Sequence, residues 1–255
     1  ALGIVRYTAD MSRDGSVLIV DNAIHPLLFR PARPWKSLLG GIQITVAHLP
    51  SAAASPTLDG VAHILLTGSE ASVLQVKPWF DTEVDLIRSA VDRGIPILGS
   101  CFGHEMLVYA LSGPAYIRAA RTPEVGWTPI TMTHPDPLFD GLPNPWTTFV
   151  HHFDEVVDPP APWRKLGCSP RCDTHVLRYG DRPVWGIQAH PEISSAKGRI
   201  FIGLTLLLGR KPVCPVLRAL RTVPPVDDVA RHVLHRFLSV PTGTATPRRG
   251  TRASR

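Results

Sequence analysis

Short apolar runs bounded by glycine, proline and polar residues alternate with segments of helical period through the first hundred residues. Apolar runs of this kind predict buried strands. We predict strands at 16–23, 42–48, 61–69 and 95–98. Helices are predicted around 34–39 and over 79–94, the second with one apolar face and Gly94 as its C-cap. This alternation implies parallel strands joined by crossovers, because a tight turn cannot close a parallel pair.

The helical period fades between residues 115 and 185, where proline and tryptophan become frequent. The segment 115–133 predicts paired antiparallel strands, and the segment 174–190 predicts a hairpin that turns at Gly180 and Asp181. The predicted fold class is therefore α/β: a doubly wound, mostly parallel sheet flanked by helices, with an antiparallel β region at one edge. Two further helices are predicted near the C-terminus, at 198–209 and 226–238.

Composition and charge narrow the class of protein. The 255 residues are 44% hydrophobic and 19% charged, and no uncharged apolar run reaches the length of a membrane span. No secretory signal is evident, so a cytoplasmic protein is expected. Four arginines of the last eight residues account for most of the net charge of +6, which leaves the body nearly neutral. We expect this tail to be disordered, and we expect no nucleic-acid or membrane partner.

The four cysteines are too few and too scattered for a disulfide framework. Cys168 and Cys172 are three residues apart but lack a second pair or a histidine cluster that would complete a zinc site. No Gly-rich nucleotide loop of the P-loop kind is present either. The sequence thus predicts neither a metal site nor a cofactor.

One cysteine stands between two glycines where a predicted strand meets a predicted helix. Cys101 lies in the run GSCFGHEML, directly after the apolar IPIL. This spacing is typical of a nucleophile elbow, a tight turn that displays one side chain and requires glycine where neighbouring side chains would collide. A thiol at a helix N-terminus is also expected to have a lowered pKa. A buried structural cysteine explains the motif equally well, so a base must be found.

A histidine suited to that role lies in VWGIQAHPEIS. His190 ends an apolar strand, and Glu192 follows it across one proline. Residues two apart in extended backbone point to the same side, so the Glu192 carboxylate can orient the His190 ring. Cys101, His190 and Glu192 are therefore candidates for nucleophile, base and orienting group, whatever their separation in sequence.

Five motifs of the chain occur together in one family. The segments ILLTGSEASV, GIPILGSCFGHEML, EVGW, FVHHFDEV and VWGIQAHPE have the order and spacing of class I glutamine amidotransferases, which the chain resembles from about Val17 to Leu208. The resemblance implies a flavodoxin-like core. We accordingly divide the chain into an N-terminal extension at 1–16, an amidotransferase-like domain at 17–209, a helical extension at 210–240 and a disordered basic tail at 241–255.

The resemblance also implies roles for particular residues. Cys101 would attack the side-chain amide of glutamine and form a γ-glutamyl thioester. His190 would protonate departing ammonia and then activate water, while Glu192 holds its tautomer. The family takes its oxyanion-binding N–H groups from the residue after the cysteine and from the turn after the third strand. In this chain those residues are Phe102 and Ser69.

Part of the predicted substrate pocket departs from the family pattern. The usual Gly-Gly-Pro turn is Gly68-Ser69-Glu70 here, which puts a side chain near the thioester. This turn resembles more closely the branch that includes plant γ-glutamyl peptidases. His152 and Asp154 keep the family's His-x-Asp stretch, whose backbone lines the substrate pocket. Gly68 and His152 are therefore predicted to contact the substrate.

Glu105 replaces the glutamine that usually follows the cysteine by four residues and helps hold the substrate's α-amino and α-carboxylate groups. A carboxylate there would favour the ammonium and repel the carboxylate. We hypothesise that recognition has shifted towards a γ-glutamyl compound other than free glutamine. The alternative is that Glu105 is a surface residue stabilised by the helix dipole.

Three functions remain open. The first is a thiol amidohydrolase that releases ammonia from glutamine to an acceptor, which must lie on a partner synthetase because no synthetase domain fits in the remaining residues. The second is a γ-glutamyl peptidase with the same three catalytic residues and another leaving group. The third is a non-catalytic binding protein that retains the fold.

Overall fold

The computed structural model describes residues 15–27, 29–207, 217, 219, 222 and 228–243. Its strands are β1 Ser16–Asp21, β2 Ile44–His48, β3 Val61–Leu66, β4 Ile97–Ser100, β5 Ile117–Met132, β6 Trp146–Val156, β7 Trp163–Cys168, β8 Val176–Tyr179 and β9 Val184–Ile187. Its helices are α1 Ala32–Leu38, α2 Phe80–Asp92, α3 Phe102–Ser112, α4 Ser195–Leu207 and α5 Val229–Leu238. None of these helices is long and apolar enough to cross a membrane. Most of the predicted N-terminal extension, the segment between α4 and α5 and the basic tail lie outside the described residues.

The strands form one sheet in the order β2-β1-β3-β4-β9-β8-β7-β5-β6. The first five strands of this order are parallel to one another. Helix α1 connects β1 to β2, and α2 connects β3 to β4. The predicted parallel α/β core is therefore confirmed, and the bounds of most of its elements differ from the predicted ones by two or three residues.

Helices cover both faces of the parallel strands because the buried side chains of β1 alternate. Leu18 and Val20 pack in the core under α2 and α3, whereas Val17 and Ile19 pack in the opposite core under α1 and α5. Phe237 of α5 is fully buried in that second core. The sequence alone could not decide whether this helix contacts the core or a partner, and the structure shows that it packs on the core.

The other half of the sheet is antiparallel. The predicted hairpin is confirmed, since β8 pairs with β9 and Gly180 adopts a φ of 55° in the turn between them. The prediction of paired strands within 115–133 is wrong. That segment is the single strand β5, which pairs with β6 and changes register between Ala119 and Glu124. The polar residues there form a bulge that shifts the pairing and does not reverse the chain.

Candidate active site

The nucleophile elbow lies where β4 ends and α3 begins. Cys101 has φ 50° and ψ −110°, a conformation that is strained for any residue with a side chain. Its N–H donates to the carbonyl of Ile187 on β9 at 2.9 Å, which fixes the turn against the sheet. A Cβ on Gly99 would lie 2.5 Å from the Gly103 oxygen, and one on Gly103 would lie 2.5 Å from the Leu66 oxygen. Both glycines are therefore required by close backbone contacts.

His190 reaches the elbow from the segment after β9. Its N–H donates to the carbonyl of Phe149 on β6 at 2.8 Å, and its Nδ1 lies 2.9 Å from Glu192 Oε1. Because a carboxylate only accepts, Nδ1 carries the proton and Nε2 is left as the base. Gly68 leaves room for the ring, since a Cβ there would lie 2.6 Å from His190 Cε1. The structure thus brings Cys101, His190 and Glu192 together.

The electrostatics of the pair depend on burial. Burial raises the pKa of the Cys101 thiol, and hydrogen bonding to His190 opposes that rise. The lowered thiol pKa expected from the helix N-terminus is therefore wrong, because desolvation is the larger effect. Burial would lower the pKa of His190, but the negative charges of Cys101 and Glu192 raise it well above its usual value. The thiolate is consequently favoured only as an ion pair with protonated His190.

Phe102 and Ser69, the residues expected to bind an oxyanion, both line the cavity. Phe102 is the first residue of α3, and its N–H points to the Cys101 sulfur. The Ser69 hydroxyl donates to the Asn22 carbonyl at 2.6 Å and accepts from the Ala71 N–H at 3.0 Å. Backbone groups hold the Ser69 side chain, which leaves its N–H as the group available to a substrate.

A cavity of about 600 Å³ opens over Cys101 at the carboxyl ends of the parallel strands, where open α/β sheets bind their ligands. Its lining includes most of the predicted site residues: Ser69, Cys101, Phe102, Glu105, His152 and His190. Gly68 lies against the His190 ring, and Glu192 lies behind that ring. All the predicted residues therefore fall in or directly behind one cavity.

Glu105 is only 3% exposed, so its interpretation as a surface residue is wrong. Its Oε1 accepts from Gln188 Nε2 at 2.9 Å. Burial, followed by the negative charge of Asp154, raises the pKa of Glu105 to about 8, while the hydrogen bond from Gln188 opposes the rise. Near neutral pH the side chain is therefore largely an uncharged carboxylic acid, which resembles the family's glutamine in shape and in its lack of charge.

Sequence reasoning missed several residues that line the cavity. The carbonyl oxygen of His151 lies 3.7 Å from Cys101 Sγ. Asp154 hydrogen-bonds with Ser72, and burial raises the pKa of this aspartate. Asp154 lies two residues beyond His152, within the matched motif, so that motif was the available signal. Ser72 carries no sequence signal of its own.

His152 is 2% exposed and bonds to protein groups through both ring nitrogens. Nδ1 lies 2.9 Å from the Asp154 carbonyl oxygen, and Nε2 lies 3.1 Å from Glu124 Oε2. Its ring therefore points away from Cys101 and into the sheet, even though the residue forms part of the cavity wall.

Known proteins resemble this chain in both sequence and fold. The family model described as glutamine amidotransferase class-I matches residues 38–202. The glutamine-hydrolyzing subunit of GMP synthase from Thermoplasma acidophilum is 28% identical over 181 residues, which cover 68% of this chain and 86% of that protein. The corresponding protein of Methanococcus aeolicus is 28% identical over 145 residues, covering 57% and 74%.

Among solved structures, a glutamine amidotransferase of Thermotoga maritima superposes with a TM-score of 0.70 at 19% identity. The superposition covers 89% of this chain and 99% of that one. At this identity the likeness establishes the fold.

Proposed function

This chain belongs to the class I glutamine amidotransferases, and on that basis we propose that it hydrolyses the γ-amide of glutamine through a thioester on Cys101. The observation that carries the proposal is the convergence of three side chains from distant parts of the sequence. Cys101 stands in a strained turn, His190 hydrogen-bonds to it, and Glu192 holds the ring from behind. This arrangement has the geometry of an activated nucleophile.

In the first half of the reaction, the Cys101 thiolate attacks the amide carbon of the substrate. The carbonyl π electrons move to oxygen, and the N–H groups of Phe102 and Ser69 bind the resulting oxyanion. Protonated His190 then gives its proton to the amide nitrogen. The C–N bond breaks, ammonia leaves, and the γ-glutamyl group remains on sulfur as a thioester.

In the second half, neutral His190 removes a proton from water, and the hydroxyl oxygen attacks the thioester carbon. The C–S bond breaks, glutamate leaves, and the thiolate–imidazolium pair is restored. Glu192 contributes in both halves, because its carboxylate stabilises the imidazolium and fixes Nδ1 as the protonated nitrogen.

We propose further that the ammonia is used by a synthetase on a separate chain. The relatives from Thermoplasma acidophilum and Methanococcus aeolicus are glutamine-hydrolyzing subunits of GMP synthase. Similarity at this level supports a division of labour of the same kind, in which this chain supplies the glutaminase. Activity of the isolated chain would then rise when the synthetase partner is added.

Replacement of the nucleophile tests the mechanism. We expect Cys101→Ser to lower kcat for glutamine hydrolysis by at least about a thousandfold, because the hydroxyl is not ionised by His190. Cys168→Ser removes a partly exposed cysteine outside the cavity and is the matched control. Equal activity of the two variants in an ammonia-release assay would contradict the thioester mechanism.

A γ-glutamyl peptidase is the second candidate, and the size of the cavity favours it. About 600 Å³ is within the range for drug-sized ligands, which are larger than free glutamine. Glu105 also stands where the family has glutamine. Comparison of kcat/KM for glutamine with that for γ-glutamyl dipeptides separates the two candidates. If Glu105 sets this choice, Glu105→Gln changes the ratio of the two values, and an unchanged ratio would contradict a role for it in recognition.

A binding protein without catalysis is disfavoured by the strained backbone of Cys101, which costs free energy without benefit to folding. A glutamine-like chloroketone discriminates this alternative. We expect stoichiometric labelling of Cys101, detected by mass spectrometry of the intact protein and slowed by glutamine. Folded protein that takes up no label would favour the binding protein.

A further inference from the structure

A cluster of buried polar side chains lies behind the wall of the active-site cavity. Glu124 of β5, His152 of β6 and His175, which immediately precedes β8, are each 2% exposed or less. One ligand atom from each lies within 4.8 Å of the others. The cluster is therefore built from three neighbouring segments of the antiparallel half of the sheet, and neither water nor a surface charge surrounds it.

The distances within the cluster fit a tetrahedral metal ion. His152 Nε2 lies 3.1 Å from Glu124 Oε2, and His175 Nε2 lies 3.6 Å from the same oxygen. Ligands at the bond lengths usual for zinc, about 2.0–2.2 Å, are separated by about 3.4 Å across a tetrahedral ion. The two observed distances lie on either side of that value. Small side-chain shifts would place all three atoms on one ion.

Two of the three side chains have the supporting contacts that metal ligands usually have. His152 Nδ1 faces the Asp154 carbonyl at 2.9 Å, so Nδ1 carries the proton and Nε2 presents a lone pair to Glu124. The Ser169 hydroxyl lies 2.9 Å and 2.8 Å from the two oxygens of Glu124. A backbone carbonyl on the histidine and a hydroxyl on the carboxylate are typical outer contacts of a metal site.

The cluster is incomplete without a cation. A lone pair on His152 Nε2 that faces a carboxylate oxygen is repulsive unless a proton or a metal lies between them. Both ring nitrogens of His175 are fully buried and lack a hydrogen-bond partner among the described residues. A buried imidazole without any partner is costly, and coordination through Nε2 would remove that cost.

We propose that Glu124, His152 and His175 bind a zinc ion behind the active site. Two histidines and one carboxylate form a common zinc ligand set and leave a fourth position open. The sequence-based expectation of no metal site arose because these ligands are spread over three strand segments and match no short motif. The ion joins β5, β6 and the start of β8.

The position of the ion connects it to the nucleophile. His152 follows directly after His151, whose carbonyl oxygen lies 3.7 Å from Cys101 Sγ. Coordination of His152 therefore fixes the backbone that contacts the sulfur. The ion is a structural element that positions this stretch of β6, and it takes no part in the reaction itself.

The test uses the full chain, stripped with a chelator and then dialysed against Zn²⁺ or Co²⁺. We expect close to one ion per chain by inductively coupled plasma mass spectrometry. Co²⁺ should give the intense visible absorption of a tetrahedral site. Zn²⁺ at a large excess over its dissociation constant should raise Tm by about 5 °C or more. None of these readouts depends on glutaminase activity.

His175→Gln removes one ligand and should abolish both the Co²⁺ absorption and the Tm rise. His134→Gln replaces an exposed histidine and should behave as the wild type. Should His175→Gln fail to fold, the absorption and stoichiometry of the wild-type chain decide the matter. The proposal is overturned if the wild type binds neither ion stoichiometrically, or if both variants retain the same metal content. In the first case a proton shared between His152 and Glu124 stabilises the cluster.

Discussion

At the scale of the residue, Glu105 shows how burial changes the meaning of a substitution. From the sequence, a carboxylate in place of glutamine indicated repulsion of the substrate's α-carboxylate. In the structure the side chain is buried, accepts a hydrogen bond from Gln188 and has a pKa raised to about 8. Below that pH the protonated acid keeps the size and the uncharged state of an amide. The difference from the family therefore becomes important only in alkaline solution.

This argument predicts a pH dependence. As the pH rises through about 8, Glu105 loses its proton, and its charge should repel the α-carboxylate of glutamine, so kcat/KM falls. Glu105→Gln should remove this part of the alkaline decline. Glu70→Gln is the control, because Glu70 lines the same cavity but accepts from the N–H groups of Ile24 and His25. The same alkaline decline in wild type and in Glu105→Gln would show that Glu105 does not act on the substrate.

The residues predicted from sequence were those that short motifs carry. Cys101, His190 and Glu192 stand in runs whose glycine, proline and apolar neighbours have a direct backbone explanation. His175 and Ser72 could not be found in this way, because their positions depend on how distant strands pair. Burial was equally inaccessible, and this is why the predicted direction of the Cys101 pKa was wrong.

At the scale of the element, the junction of β4 and α3 depends on close backbone contact. A Cβ on Gly103 would lie 2.5 Å from the Leu66 oxygen on β3 and 2.7 Å from Leu66 Cβ. We expect Gly103→Ala to lower the free energy of unfolding by about 1–3 kcal/mol, the usual cost of overpacking. Activity should fall as well, because the shift moves Cys101 away from His190.

Gly203→Ala in α4 is the matched control. A Cβ there meets nothing within 4 Å, so alanine should be neutral or stabilise the helix by up to about 1 kcal/mol. Urea unfolding monitored by circular dichroism measures both variants. Equal stability of the two would show that the sheet and α3 can separate without cost.

Elements of the parallel half were predicted more accurately than those of the antiparallel half. Each parallel strand is buried on both faces and gives an uninterrupted apolar run, as in β1 and β4. Strand β5 is long, half-exposed and bulged, so its pattern resembles two strands and a turn. Its pairing with β6 depends on residues far apart in sequence, which local pattern does not report.

At the scale of the whole molecule, the site requires both halves of the sheet. Cys101 and its turn come from the parallel half, whereas the carbonyl that holds His190 in place belongs to Phe149 of β6. The carbonyl next to the Cys101 sulfur, that of His151, comes from the same antiparallel strand. Motions that separate the two halves would therefore disassemble the catalytic residues together.

Global stability should also depend on pH through a carboxylic acid far from the reaction. Glu83 of α2 is fully buried, and its Oε1 accepts from Asn22 Nδ2 at 2.9 Å. Burial raises the pKa of Glu83 to about 8, and the bond from Asn22 only partly opposes this. The folded protein thus holds a proton that the unfolded chain releases above its ordinary pKa of 4.5. Stability should be greatest below that pH, as far as this group is concerned, and should fall until the pH reaches about 8.

Glu83→Gln removes the ionisable group and keeps the contact with Asn22. The free energy of unfolding should therefore decline less steeply between pH 5 and 8 in the variant, by at most a few kcal/mol, since one pKa unit corresponds to about 1.4 kcal/mol. Asp85→Asn, on the exposed side of the same helix, controls for the loss of a carboxylate. Urea titrations across this range measure the slopes. If Glu83→Gln and Asp85→Asn follow the wild-type slope equally, Glu83 is ionised in the folded protein and the argument from burial fails.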